Sequence, residues 1–384
     1  MKRCLSDSEC STSHDDDDDL MPHHDETKKR KITSEFPSTP QEKSILQFHP
    51  TQQQVKVILI DFVIQRVRGD DEAKQECFEN NFLFGHLKHK LMNQKRLEAF
   101  SLQFKLTSCM IDHLHSPVEI KISNNHNCIL ISDYDLSSIC VFDLKTLELE
   151  MTWPLFSNYF CIEYDYNERG NDALLIPLSN DQSRVYKFDL RNLLSRHCSK
   201  TTFNSLWKSE PIDSAHGIAV LMNSSPCRTG NQVFVCNHVS NCIHILRSDS
   251  GTCIQKIEIS HPTAIAFSAD SDLIVSEAFI DQKITIMKRN AENNSWVVVK
   301  QLGGKNGHSS FRYPVAVMCD MVNNNFFVVD ALNNRIQVFS QNGVFIKSFD
   351  QLNKPSSACI NERNGELYVC EIGCNNNQKV QIFR

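Results

Sequence analysis

The sequence predicts an all-β fold built from six similar units, and two observations carry this prediction. The first is the stretch 313–350, in which four short apolar runs are separated by Asn-Asn-Asn, Asn-Asn and Asn-Gly. Because asparagine and glycine tolerate the positive φ of tight hairpin turns, this stretch predicts four antiparallel strands. The second observation is that the pattern recurs along the chain, and a lone meander needs such copies to bury its faces.

Five further copies follow the same order of strands and turns. Residues 352–384 and 261–287 are the clearest, and 216–246, 160–188 and 116–142 are weaker. The copies begin 44, 56, 45, 52 and 41 residues apart when they are anchored on Pro117, Cys161, Gly217, Pro262, Pro314 and Pro355. Four strands per copy at this period predict a β-propeller, whose blades pack radially around a central channel.

The two ends of the repeat array predict how the ring closes. The last copy stops at Arg384, directly after its third strand, so the sixth blade lacks an outer strand. Residues 97–106 (LEAFSLQFKL) alternate apolar and polar side chains, and we expect them to supply that strand. The expected domain is therefore a six-bladed propeller over 97–384, closed by its own N-terminal strand and without an open edge.

A tail is predicted over residues 1–50. It has five aspartates at 15–19, and the basic cluster Lys28, Lys29, Arg30 and Lys31 follows. Such a segment cannot bury enough apolar area to offset its ordering entropy, so we expect disorder. The basic cluster fits a nuclear-localisation signal as well as it fits a plain solvated tail.

A short helical segment is predicted between the tail and the propeller, over 51–96. Periodicity does not separate helix from strand in 51–67, whereas 72–96 has acids in its first turn and basic residues at its end, as a helix dipole favours. Two roles stay open. The segment is either a helical plug on one face of the propeller or a short partner-docking module, such as a degenerate ubiquitin-ligase adaptor.

Composition sets the expected location. No run of about 18 apolar residues occurs, and the first ten residues lack the apolar stretch of a signal peptide. We therefore expect an intracellular monomer, cytoplasmic or nuclear, with no membrane partner. Its 16 cysteines are expected to be thiols, because the cytosol and the nucleus keep cysteine reduced.

The most regular copy carries a recognisable motif. The strand 335–339 (RIQVF) is preceded by Asp330 and by Asn-Asn, and the approach 303–314 is GGKNGHSSFRYP. These features resemble the NHL-repeat family, closely over 260–384 and less so over 110–259. The resemblance implies a protein-binding propeller, often the substrate-recognition part of a ubiquitin ligase with a separate RING domain. No RING pattern occurs here, so a partner would have to supply the catalytic module.

An acid recurs at the end of the second strand of most copies, and a base recurs at the start of the third. The residues that we assign to this pattern are Asp133, Glu277, Asp330, Arg335, Glu371 and Lys379. The carboxylates could ring a metal in the channel, or they could be structural struts that fix each hairpin. Recurrence in register with lysine or arginine favours struts, since a catalytic site normally breaks the repeat symmetry.

The sequence disfavours two other functions, enzyme activity and RNA binding. A propeller lyase or hydrolase would need a metal in the channel, but the histidines of 97–384 show no metal-ligand spacing, so we expect no enzyme activity and no cofactor. RNA binding needs a basic surface, whereas 97–384 carries 25 Lys and Arg against 29 Asp and Glu, a net charge of −4.

A protein-binding scaffold is therefore the predicted function. The loops of a propeller vary from copy to copy and carry its contacts. We expect Trp207, in the connection 189–214, and His308, Phe311 and Arg312, in the connection 303–312, to contact protein partners.

Overall fold

The computed structural model describes residues 98–155, 157–167, 171–178, 183–195, 203–223, 230–304, 310–373 and 378–384. All of these belong to one compact unit, 69–384. The predicted tail 1–50 with its basic cluster Lys28–Lys31, the predicted helical segment 51–96, and His308 lie outside the described residues. No helix among the described residues is long and apolar enough to cross a membrane.

The described chain forms six four-stranded antiparallel sheets, which confirms the predicted all-β, six-bladed propeller. Blade 1 comprises β2 (Pro117–Ser123), β3 (Cys128–Asp133), β4 (Ser138–Asp143) and β5 (Leu149–Trp153). Blade 2 comprises β6 (Cys161–Glu163), β7 (Ala173–Leu178), β8 (Arg184–Asp189) and β9 (Trp207–Lys208), with the short helix α1 (Leu190–Leu194) after β8. Blade 3 comprises β10 (Ala215–Leu221), β11 (Gln232–Asn237), β12 (Cys242–Arg247) and β13 (Cys253–Glu258).

The other three blades follow the same plan. Blade 4 comprises β14 (Ala264–Phe267), β15 (Leu273–Glu277), β16 (Lys283–Arg289) and β17 (Trp296–Gly303). Blade 5 comprises β18 (Pro314–Cys319), β19 (Phe326–Asp330), β20 (Arg335–Phe339) and β21 (Phe345–Phe349), with a 3-10 turn (Ala331–Asn333) after β19. Blade 6 comprises β22 (Pro355–Ile360), β23 (Leu367–Glu371), β24 (Lys379–Phe383) and, from the other end of the array, β1 (Leu106–Met110).

Apolar second and third strands form the core of each blade. In β19 (FFVVD) every side chain is buried, because neighbouring blades cover both faces of the sheet. The predicted asparagine and glycine turns have the backbone they need: Asn324, Asn334 and Gly343 all have φ between 55° and 68°. The buried strands, which are apolar on both faces, are thus followed by turn residues that accept a positive φ.

The closing strand lies later than predicted. It is Leu106–Met110, paired with β24, and not the whole of 97–106. Phe100 and Phe104 explain the difference, because both are buried and face the wedge between blades 5 and 6. The Phe104 ring stacks on Phe349 at a centroid distance of 4.6 Å. The alternating pattern of 98–104 therefore fills the core ahead of the strand.

The antiparallel order gives the propeller two distinct faces. We call upper the face that carries the loop between the second and third strands of each blade and the link that enters its first strand. The lower face carries the two remaining turns of each blade. The ends of the second strands, where the predicted acids lie, therefore point to the upper face.

Candidate functional site

Blades 4, 5 and 6 each contain a charged pair where the second strand meets the third. Lys283 Nζ lies 3.2 Å from Glu277 Oε2, Arg335 Nε lies 2.9 Å from Asp330 Oδ2, and Lys379 Nζ lies 3.4 Å from Glu371 Oε2. All three carboxylates are buried. Burial raises the pKa of Glu277, and the Lys283 ammonium opposes that shift.

Two of these acids, Asp330 and Glu371, also accept hydrogen bonds from the backbone of the link that enters their own blade. The Arg312 N–H donates to Asp330 Oδ1 at 2.6 Å, and the Asn353 N–H donates to Glu371 Oε1 at 2.9 Å. In blade 1, the N–H groups of His115 and Ser116 donate to Asp133 at 2.7 and 3.0 Å. Asp133, Asp330 and Glu371 therefore each tie an entering link to a hairpin. Among the described residues, no three or more His, Cys, Asp or Glu side chains form a group that could hold a metal ion.

Blade 2 also contains a buried ion pair, but it joins the first strand to the third and not the second to the third. Lys187 Nζ lies 2.7 Å from Glu163 Oε2, and both side chains are buried. Two residues of blade 3 form hydrogen bonds with this ion pair. Lys187 Nζ donates to the Ser248 carbonyl at 2.9 Å, and Asn231 Nδ2 donates to Glu163 Oε1 at 2.7 Å. This link between blades was missed in the sequence, because Glu163 lies on a first strand and its partners lie 24 to 85 residues away.

A continuous row of rings crosses the upper face from blade 2 to blade 5. His216 lies between the rings of Tyr159 and His238, at centroid distances of 5.1 and 5.0 Å, and both pairs are stacked. His238 also contacts Phe279 at 4.3 Å, and Phe279 contacts Tyr313 at 5.2 Å. We call these five rings, with His261 at 5.1 Å from His238, the aromatic surface.

Two histidines of the aromatic surface, His216 and His238, are held in their neutral form. Burial and the neighbouring His238 ring lower the pKa of His216 to about 4. Burial and the His261 ring likewise lower the pKa of His238. The Nδ1 atoms of both rings are buried and find no hydrogen-bond partner in the described part of the chain, so no acceptor there favours a proton on them.

Large apolar side chains remain exposed at the centre of this surface. Phe279 is 41% exposed, Ile280, the next residue in its loop, is 54% exposed, and Val239, which follows His238, is 65% exposed. All three belong to loops between second and third strands, and Tyr134 and Leu332 are exposed in the equivalent loops of blades 1 and 5. The upper face therefore offers apolar loop tips around a row of neutral rings.

A small cavity adjoins the aromatic surface at its blade 2 end. Its volume is about 120 Å³, and Asn158, Tyr159, Leu178 and His216 are among the residues that line it. A space of this size holds several water molecules or one small side chain.

The residues predicted to contact partners do not form one surface. Phe311 is 4% exposed and packs in the core between blades 4 and 5, so its predicted contact role is wrong. Trp207 is partly buried and links two blades, since its Nε1–H donates to the Ser248 carbonyl at 2.8 Å. Arg312 is exposed on the upper face. The aromatic surface was missed, because its rings come from separate links and loops.

Comparison with known proteins found similar structures but no similar sequence. No family model and no curated protein matches the sequence. The structure is similar to that of virginiamycin B lyase from Staphylococcus aureus, at 13% identity and a TM-score of 0.47 over 73% of this chain and 100% of that one. It is also similar to the β-propeller domain of Myceliophteria thermophila Cps50 (Swd1), at 10% identity and a TM-score of 0.48 over 73% of this chain and 98% of that one. A functionally unknown protein from Desulfotomaculum acetoxidans is similar at 14% identity and a TM-score of 0.44, over 66% of this chain and 75% of that one.

Proposed function

We propose that this protein is a scaffold that binds other proteins through the aromatic surface. One observation carries the proposal: Phe279 stays 41% exposed while its ring contacts His238 and Tyr313, and two other loop residues of the upper face, Ile280 and Val239, are exposed as well. Contiguous exposed apolar side chains mark interaction sites on soluble proteins, and aromatic anchors contribute most of the binding free energy there.

The charge around this surface supports a protein partner over RNA. The exposed charges of the upper face are mixed, with Asp135 and Asp213 alongside Arg312 and Lys354. The lowered pKa values of His216 and His238 keep these two rings uncharged at pH 7. Binding of a nucleic-acid backbone requires several basic groups that neutralise phosphates, and this surface does not concentrate them.

We further propose what binding by this scaffold is for. The NHL-type pattern of the blade 5 repeat supports substrate recognition for a ubiquitin ligase whose catalytic module a partner supplies. Proteins captured with the full chain should then include a RING-containing protein. Recovery of partners without any ubiquitin-ligase component, in repeated captures, would refute this finer proposal and leave the scaffold intact.

Affinity capture with three matched baits tests the scaffold. The baits are the full-length chain, its Phe279→Ala variant and its Phe345→Ala variant, each added to native extract, with proteins identified by mass spectrometry and RNA by sequencing. Phe345 is the control because it is a phenylalanine that is 51% exposed on the outer strand of blade 5. We expect Phe279→Ala to lose proteins that the other two baits recover. Loss of the same proteins from both variants, or recovery of RNA alone, contradicts the proposal.

A further inference from the structure

The small cavity at the blade 2 end of the aromatic surface is lined by two residues whose polar atoms the fold leaves unpaired. These residues are Asn158 and His216. Asn158 Oδ1 and His216 Nδ1 are buried, and neither atom makes a hydrogen bond within the described part of the chain. Buried polar atoms are nearly always hydrogen-bonded, and each one left unpaired costs free energy. Two such residues in the wall of one cavity therefore indicate a site that a bound group completes.

The wall of the cavity favours an uncharged group. Among the described residues that line it, His216 is the only one with an acidic or basic side chain. Burial lowers the pKa of His216 to about 4, so its ring is neutral at pH 7. Burial raises the pKa of Tyr159, so its hydroxyl keeps its proton. A charged group placed here would lose its hydration without gaining a counter-ion, and the site therefore disfavours lysine, arginine and carboxylate side chains.

The size of the cavity narrows the choice further. Its volume is about 120 Å³, whereas a cavity that takes a benzene ring has about 150 Å³. An aromatic side chain is therefore too large. Pro177, Leu178 and Ala215 form the apolar part of the wall and suit the methylene groups of a short side chain. A short aliphatic side chain would fit as well, but it would leave Asn158 Oδ1 and His216 Nδ1 unpaired.

The unpaired atoms match a group with two N–H donors. A buried N–H without an acceptor is rarer than a buried acceptor without a donor, so the proton of the neutral His216 ring belongs on Nε2 and Nδ1 is an acceptor. Asn158 Oδ1 is an acceptor as well. A hydroxyl has one hydrogen to donate, whereas the NH₂ group of a carboxamide has two. Because the terminal torsion of asparagine is broad, the Asn158 amide can also turn and pair with a second amide through both of its polar atoms.

We propose that this cavity is the anchor site of the aromatic surface and takes the carboxamide of an asparagine or glutamine side chain that the bound protein presents. The inference rests on the proposed scaffold function. Tyr159 and His216 belong both to the cavity wall and to the row of rings, and the His216 ring lies 6.2 Å from the Phe279 ring. An apolar residue next to the asparagine or glutamine of the partner then covers Phe279.

Acetamide tests the cavity without a partner, because it is the side chain of asparagine as a free molecule. The full chain with isotope-labelled histidine is titrated at pH 7 with acetamide, acetone or acetate, and the ring signals of His216, assigned by their absence from His216→Phe, are followed by NMR. We expect a saturating shift with acetamide, and binding at least about tenfold weaker for acetone, which cannot donate, and for acetate, which is charged. His126, in a lower-face turn, should not shift. A His216 shift that does not saturate, or equal affinity for acetamide and acetone, overturns the proposal.

A matched pair of variants tests the amide contact. Asn158→Leu keeps the approximate shape of the side chain but removes both polar atoms, so we expect the affinity for acetamide to fall about tenfold. Asn364→Leu is the control, because Asn364 is exposed in a lower-face turn of blade 6, and this variant should bind acetamide as the unaltered chain does. Unchanged affinity in Asn158→Leu overturns the proposal. If Asn158→Leu does not fold, as its unfolding midpoint would reveal, the comparison of acetamide with acetone on the unaltered chain decides.

Captured proteins separate this inference from the scaffold function. Asn158→Leu and Asn364→Leu are added as baits to Phe279→Ala and Phe345→Ala in native extract. We expect Asn158→Leu to lose the proteins that Phe279→Ala loses, while both control baits keep them. Loss from Phe279→Ala alone overturns the carboxamide anchor and leaves the scaffold intact. Loss from neither variant refutes the proposed function, and with it the occupant of the cavity, even if acetamide binds.

Discussion

Blades 4 to 6 and blades 1 to 3 differ at one equivalent position of each hairpin. In the first group an acid faces a base in register, as Asp330 faces Arg335. In the second group the same positions hold Asp133 facing Ser138, Leu178 facing Arg184, and Asn237 facing Cys242. The regular half is thus fixed blade by blade, whereas the irregular half has a buried ion pair within blade 2 that is hydrogen-bonded to blade 3.

The difference between the two groups of blades coincides with the position of the aromatic surface. The row of rings begins with Tyr159 and His216, in the half without complete pairs, and reaches Phe279 at the start of the regular half. Three of the five rings in the row, Tyr159, His216 and His238, therefore lie where the repeated pair is missing.

The largest effect is expected from the Glu163–Lys187 ion pair of blade 2. Lys187→Met leaves Glu163 as a buried charge without its cation, so we expect the free energy of unfolding to fall by about 3–5 kcal/mol. Urea unfolding of the full chain measures this loss. The double variant Lys187→Met with Glu163→Leu should recover much of the stability, because it removes the unpaired charge. A loss below about 1 kcal/mol in the single variant would refute the role of this pair.

A smaller effect is expected when a regular blade is converted toward the irregular pattern. Asp330→Asn gives blade 5 the residue that blade 3 has, and it leaves Arg335 without its counter-ion. We expect a loss of about 1–3 kcal/mol in unfolding free energy. Arg335→Gln should cost less, because the Arg312 N–H and Asn333 Nδ2 still donate to the Asp330 carboxylate. Equal losses in the two variants would contradict this order.

The smallest effect concerns pH and the aromatic surface. The folded state resists protonation of His216, whose pKa is lowered to about 4, whereas the unfolded chain takes the proton near the ordinary value of 6.5. Stability is therefore lost as the pH falls from 6.5 toward 4. His216→Phe keeps a ring in the stack and does not titrate, so its urea midpoint should fall less between pH 7 and pH 4.5. An equal fall would show that His216 is not the titrating group.

The repeat pattern allowed the fold to be predicted, because each blade is a local unit whose strands and asparagine turns are adjacent in the sequence. Asp330 and Arg335 were paired correctly in space because they are five residues apart in one hairpin. The closing strand was placed too early, since the alternation of Phe100 and Phe104 looks the same in a strand and in a wedge between blades.

The candidate site could not be predicted in this way. Tyr159, His216 and Phe279 come from three blades, and only the curvature of the ring brings them together. Glu163 and Lys187 carry no repeat signal, because no other described blade places an ion pair there. Phe311 looked like a loop residue, yet its ring packs on Phe339 at 5.9 Å in the core. The pattern of a single repeat therefore does not reveal the contacts between blades.

The most direct test of the aromatic surface measures the affinity of one captured partner for this protein. The purified partner is titrated onto the full chain, its Phe279→Ala variant and its Phe345→Ala variant, with the folding of each checked by its unfolding midpoint. We predict that Phe279→Ala raises Kd by about 30-fold, equivalent to about 2 kcal/mol, while Phe345→Ala changes it by less than about twofold. Equal affinity for the Phe279→Ala variant and the unaltered chain would contradict the assignment of the aromatic surface as the binding site.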